Sequence, residues 1–176
     1  MKVTYYKTSA EFRKWLVANH DLAIEHQVGF FKKHSGKKGI SYSEAVDQAL
    51  CFGWIDGITR RIDENRYTIR FTPRKPRSNW SNVNINKVRV LIASGLMMTP
   101  GLRALEARDE KKTGIYAFEQ GHIQLDAKSE KKFRSNKKAW KFFQSQTPSY
   151  RKTCTWWIMT AKKEETCTSK AQYINY

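Results

Sequence analysis

Residues 50–80, LCFGWIDGITRRIDENRYTIRFTPRKPRSNW, constrain this chain more than any other stretch. An apolar helical pattern ends at Gly53, β-formers follow, and Pro73 and Pro76 then forbid any helix before Trp80. Residues 58–62 and 67–71 read as a hairpin across Asp63-Glu64-Asn65-Arg66. With Ile62 opposite Tyr67, Ile58 faces Phe71 and Arg60 faces Ile69. One face is then apolar, and the other carries Thr59, Arg61, Thr68 and Arg70. Arg60 falls among the apolar positions, which suits a sheet edge where its stem packs and its head stays in water.

Helices are expected on both sides of this hairpin. Thr8-Ser9-Ala10-Glu11 and Ser41-Tyr42-Ser43-Glu44 are capping boxes. The first opens a helix over residues 9–19 with Phe12, Trp15 and Leu16 on one face. The second opens a helix carrying Ala45, Val46, Ala49 and Leu50, stopped by Gly53. Between them, Ile24, His26, Val28 and Phe30 share one side of a strand. His34-Ser35-Gly36-Lys37-Lys38-Gly39 is a basic loop without the spacing of a P-loop. Ser78 or Ser81 caps a helix with Val88, Leu91 and Ile92 on one face, closed by Gly95. Thr99-Pro100 opens a shorter one.

The pattern fades over residues 111–127. Residues 128–176 then hold twelve Lys and Arg against three Glu. Ala139, Trp140 and Phe143 mark one short helix there. Thr147-Pro148 opens another with Tyr150, Cys154, Trp157, Ile158 and Ala161 on one face. The tail from Cys167 is weakly patterned and is expected to fray.

With 33 Lys and Arg against 16 acids, the net charge is +17. That surplus bears on partners, not on fold. It points to nucleic acid, phosphorylated small molecules or anionic surfaces. No segment has the ~20 apolar residues of a spanning helix. MKVTYYKTSAEF has no apolar run of the kind that opens a signal peptide. Three cysteines form neither a metal spacing nor an even disulfide framework. A cytoplasmic, reducing setting is therefore expected. None of the four histidines stands at a metal-pair spacing, so neither metal nor cofactor is signalled.

The candidate site is a cluster of cations and indoles. Arg61, Arg70, Arg74, Lys75 and Arg77 supply donors that match phosphate oxygens. Asn79 adds an amide, and Trp54 and Trp80 add aromatic faces on which a base can stack. The competing reading is that these arginines pair with Asp56, Asp63 and Glu64 while Trp80 staples the loop to the core. Asp56, between aromatics at the mouth of the hairpin, is the one acid positioned for acid–base work. Capping a backbone turn or pairing with a neighbouring arginine is the commoner role for such an acid.

The blocks EAVDQALCFGWID, RFTPRKPRSNWS and GLMMTPGL, within residues 44–102, resemble the YdeI / OmpD-associated family of bacterial proteins. PSYRK and WIMTAKKEET, within residues 148–166, resemble that family's small helical C-terminal part. The resemblance implies association with bacteriocin or antimicrobial-peptide protection and no established biochemical activity, so it transfers no catalytic residue. The matching positions Trp54, Asp56, Arg70, Phe71, Pro73, Arg74, Pro76, Ser78, Asn79, Trp80 and Ser81 are expected to line a site. From Cys167 the sequence departs from the basic helix with which the family continues.

These readings predict an α+β fold, with an antiparallel sheet of about three strands covered by helices. The core domain spans 1–110, a link 111–127, and a basic helical module 128–176. The leading function is non-enzymatic binding of an anionic ligand or nucleotide through the Arg/Trp site, in stress or bacteriocin resistance. The alternatives are an enzyme using Asp56 and a nonspecific nucleic-acid-binding protein. In the leading reading, Arg74→Ala and Trp80→Ala abolish binding and leave folding intact.

Overall fold

The computed structural model of this chain describes residues 2–160. Ala161 and the tail from Cys167 lie outside the described residues. The chain divides into two compact units, Met1–Thr113 and Gly114–Tyr176.

The first unit is α+β. Its strands are β1 (Val3–Tyr5), β2 (His26–Phe31), β3 (Trp54–Arg61) and β4 (Arg66–Pro73), in the spatial order β1-β2-β4-β3. The sheet therefore has four strands, not three, and it is mixed, because β1 runs parallel to β2. Three residues are too few to show a period of two, so β1 is invisible in the sequence.

Local chemistry sets the helix starts. For α1 (Ser9–Asn19), the Thr8 hydroxyl accepts the Glu11 N–H at 3.3 Å. The Glu11 carboxylate takes the Lys7 N–H at 2.7 Å, one residue earlier than a capping box requires. At α2 (Tyr42–Cys51) the Ser41–Glu44 box is complete. Ser81, not Ser78, caps α3 (Asn82–Ala93). Met98 occupies the cap position of α4 (Thr99–Glu106), so Thr99 is already helical.

The hairpin register differs by one from the sequence reading. Asp63 Oδ1 accepts the N–H groups of both Asn65 and Arg66 at 2.8 Å. This pulls Ile62 into the turn, and Arg61 faces Tyr67 in its place. Thr59 then faces Ile69. An irregularity between Asp56 and Thr59 widens the offset to two, so that Asp56, not Ile58, meets Phe71. Ile58 is 53% exposed. β3 is an edge strand and Arg60 is exposed on it. Ile24 precedes β2 and is exposed, so it does not join Val28 and Phe30 in the core.

Aromatic packing joins α1 to the sheet. Phe12 meets Phe71 edge-on with centroids 5.6 Å apart, and Trp15 meets Trp54 edge-on at 5.7 Å. Trp15 also stacks on His26 at 3.7 Å. Tyr6 Oη lies 2.8 Å from His26 Nε2. Burial lowers the His26 pKa to about 4. The neutral ring can accept the Tyr6 proton, and the imidazolium cannot.

A pH dependence follows. The unfolded imidazole takes up its proton near pH 6.5, and the folded one waits until about 4. Between those values the unfolded state binds more protons. Stability from this group is thus complete above the upper value, falls as pH drops through the window, and levels off below it. The loss is on the order of 2 kcal/mol after discounting for partial exposure. Denaturant midpoints measured from pH 7.5 to 3.5 should fall less for His26→Gln than for the unaltered chain. Parallel curves would remove His26 as the cause.

The second unit contains α5 (Ala127–Ser135), α6 (Lys137–Ser145) and α7 (Pro148–Met159), capped by Asp126, Asn136 and Thr147. Its small core is Phe133, Ala139, Phe143, Cys154 and Ile158. Helix α5 is hidden in the sequence because AKSEKKFRS buries only Phe133. On α7 the buried residues are Cys154, Thr155 and Ile158, with Tyr150 and Trp157 more exposed than their expected place on the apolar face implies. No helix among the described residues is long and apolar enough to cross a membrane.

Candidate anion-binding loop

β4 ends at Pro73, and the chain turns immediately. The Arg74 N–H donates to the Gly53 carbonyl at 2.8 Å. The Arg74 guanidinium lies 3.6 Å from the centre of the Trp80 ring, and its Nη1 donates to the Asn79 carbonyl at 3.1 Å. The side chain of Arg74 thus spans the loop it begins, closing residues 74–80 into a clasp.

Within the clasp, Lys75-Pro76-Arg77-Ser78 forms a turn in which the Ser78 N–H donates to the Lys75 carbonyl at 3.2 Å. Arg77 sits at φ 57°, in the left-handed region, and it is the only non-glycine residue to do so among the described residues. Proline second and positive φ third are the marks of a type II turn, where glycine is the usual third residue. A side chain there costs about 1–2 kcal/mol. The surroundings hold it in place. The Arg77 N–H donates to the Ala107 carbonyl at 3.1 Å, and Lys112 Nζ donates to the Arg77 carbonyl at 3.3 Å. Lys75, Arg77 and Asn79 are exposed. No hydrogen bond or ion pair engages the side chains of Lys75 and Arg77 among the described residues.

The indoles are placed differently. Trp80 is 1% exposed; its backbone N–H donates to the Lys112 carbonyl at 3.2 Å, and it forms an isolated bridge with Thr113. Trp54 is also 1% exposed, with Nε1 donating to the His20 carbonyl at 3.0 Å. Neither offers an open face for base stacking in this conformation, and Trp80→Ala becomes a core substitution.

Two other arginines lie away from the loop. Arg61 is at the turn end of the hairpin, six β4 positions from Pro73 by register, or roughly 20 Å. Its Nε donates to the Asp63 carbonyl, and Nη2 lies 4.0 Å from Glu64. Arg70 Nη1 is 3.6 Å from Glu25. The Arg70 side chain runs beside Gly57, where a Cβ would lie 3.9 Å from Nε.

Asp56 pairs with Phe71, so it lies on the opposite face of the sheet from Arg70. Its Oδ2 accepts the Tyr42 hydroxyl at 2.7 Å. That partner, on the first turn of α2, is neither the arginine nor the backbone amide that the sequence suggested.

The sequence reading missed Ala107 and Lys112. Ala107 meets the loop through its carbonyl, and Lys112 through both its carbonyl and its Nζ, in each case against loop backbone, so no side-chain pairing in the sequence signals them. The adjacent Lys111-Lys112 pair was legible as charge, but not as a neighbour of Arg77.

A family model described as a domain of unknown function, DUF8412, matches residues 4–104. A second, described as bacteriocin-protection, YdeI or OmpD-associated, matches residues 123–174. The blocks between residues 44 and 102 thus fall under the first, and those between 148 and 166 under the second. No curated protein and no solved structure matches the chain.

Proposed function

The chain belongs to the DUF8412 domain family through residues 4–104 and carries a bacteriocin-protection, YdeI or OmpD-associated segment at residues 123–174, and on that premise we propose that it is a non-catalytic binder of a phosphate-bearing anion, held at the loop of residues 74–80. The supporting observation is Arg77. It is strained, fixed through its own N–H and C=O, and exposed. Strain of this kind persists where surrounding contacts over-determine it, and it concentrates at ligand clamps. The clasp presents Lys75 and Arg77, both exposed, within one turn, with the Lys111-Lys112 pair following closely on Ala107 in the sequence. A prearranged turn spares the backbone share of the ordering cost on meeting phosphate, and the side chains still lose rotamer freedom.

Charge also shapes a role in protection. Antimicrobial amphipathic peptides are rich in Lys and Arg. A chain of net charge +17 repels such peptides. It competes instead for the anionic groups that they seek. Protection then comes from occupying or sensing an anionic target, not from sequestering the peptide.

The test is calorimetric titration with tripolyphosphate in low and in physiological salt. Lys75→Ala with Arg77→Gly should weaken binding at least tenfold and flatten its salt dependence. Glycine at position 77 removes the strain while adding freedom to the unfolded chain, so stability should stay within about 1 kcal/mol. Undiminished affinity in a folded double variant would overturn the assignment of the loop. Equal binding of any polyanion, lost evenly with every surface lysine removed, would favour nonspecific attraction by the whole +17.

A further inference from the structure

The second unit contains a cavity of about 380 Å³ that no reading above uses. Residues Pro148, Arg151, Lys152 and Thr155 line one side of it. Their spacing places them on a single face of α7, beginning at its N-terminal end. Ile123 and Phe143 supply apolar wall, and Gly121 and His122 complete the lining. No carboxylate is among the lining residues.

Thr155 is the informative member. It is 5% exposed, yet among the described residues no hydrogen bond engages its hydroxyl. The hydroxyl of a residue this buried normally has a protein partner. Here the group lines a cavity instead. Lys152 is anchored by donating from Nζ to the Gln120 carbonyl at 2.5 Å, which leaves it two further protons. Arg151 is exposed at the rim, and among the described residues no hydrogen bond or ion pair engages its side chain. The N-terminal end of a helix of this length adds favourable potential for an anion.

From this we infer that the cavity is a ligand site for a small phosphomonoester with a flat apolar body. The phosphate would meet Arg151, Lys152 and the Thr155 hydroxyl, and the apolar part would lie against Ile123 and Phe143. The volume falls in the range of small-molecule pockets. Three kinds of donor lining one cavity suit the three terminal oxygens of a phosphomonoester better than the two of a carboxylate. The site lies in the segment matched by the bacteriocin-protection, YdeI or OmpD-associated model. It does not depend on the loop of residues 74–80.

Titration of the full chain with phenyl phosphate, followed by calorimetry and by NMR, tests the inference. Phenyl phosphate should bind at least tenfold more tightly than inorganic phosphate, benzoate or benzyl alcohol. Arg151→Gln, a surface change, should weaken it about tenfold. Thr155→Val keeps the side-chain shape and should weaken it several-fold. In the Lys75→Ala, Arg77→Gly double variant, the NMR shifts that phenyl phosphate causes at Ile123, Phe143 and Thr155 should persist, whatever binding the loop loses. Unchanged affinity in Arg151→Gln would overturn the site, as would a loss confined to the loop variant. Benzoate binding as well as phenyl phosphate would overturn the phosphate assignment. If Thr155→Val fails to fold, Arg151→Gln and the ligand series still decide.

Discussion

Trp80→Ala is expected to destabilise the first unit by about 3–5 kcal/mol, the usual cost of emptying a large aromatic site in a core. The indole is 1% exposed and carries the Arg74 guanidinium 3.6 Å above its centre. Its backbone N–H also ties the loop to Lys112. Loss of the ring removes its packing and leaves Arg74 without the surface on which it is spread. Arg74→Ala alone should cost about 1 kcal/mol, because the cation–π contact and one hydrogen bond are lost while the indole remains. Urea unfolding of both single variants and the double variant measures their coupling, expected at about 0.5–2 kcal/mol. A Trp80→Ala chain that lost less than about 1 kcal/mol and all anion binding would mean that the indole serves a ligand and not the fold.

The reason the sequence led elsewhere is instructive. Arg, Trp and Pro within ten residues describe a nucleotide site and a clasp equally well, because both need a cation, an aromatic face and a fixed turn. What separates them is whether the indole is covered, and for Trp80 the cover comes from Arg74 within the loop and from the hydrophobic core of the first unit, which it joins with Val88 and Leu91. The sequence shows the first as a neighbour and conceals the second. Where structure depended on local chemistry, the sequence was legible. The Ser41–Glu44 box, the extent of α1 and the stop at Gly53 needed only caps and periodicity. The hairpin was legible as an element but not in register, because one Asp63 carboxylate holding two amides decides which residues enter the turn. β1 and α5 were illegible for opposite reasons: one is too short to show a period, and the other is too charged to show an apolar face. Lys75 and Arg77 were recognisable as exposed cations. That Arg77 stands in a left-handed conformation could not be read, since nothing but a glycine would have announced it.

Gly101→Ala should cost about 3 kcal/mol, near the upper end for overfilling a packed interior. A methyl group at this position on α4 would collide with the Cys51 carbonyl oxygen, and it would lie 2.7 Å from that of Leu50. Both obstacles are backbone of α2, so no side chain can swing away. On the other side of the same contact, a Cβ on Gly53 would lie 2.8 Å from the Pro100 carbonyl, and Gly53 itself has φ 73°. The Met98 N–H donates to the Cys51 carbonyl at 3.0 Å, and Arg74 is tied to Gly53. Three separate sequence blocks, LCFGWID, TPRKPRSNWS and MMTPGL, therefore meet main chain to main chain at the C-terminal end of α2. Gly95→Ala is the control. It also has positive φ, at 66°, but open space around it, so it should lose only the conformational cost of about 1–2 kcal/mol. If Gly101→Ala unfolds no more easily in urea than Gly95→Ala, the helices separate at no cost and the interlock has no energetic meaning. If it is the weaker by the expected margin, these glycines are explained by backbone proximity alone, and the search for ligand contacts narrows to the exposed cations that the interlock holds in place.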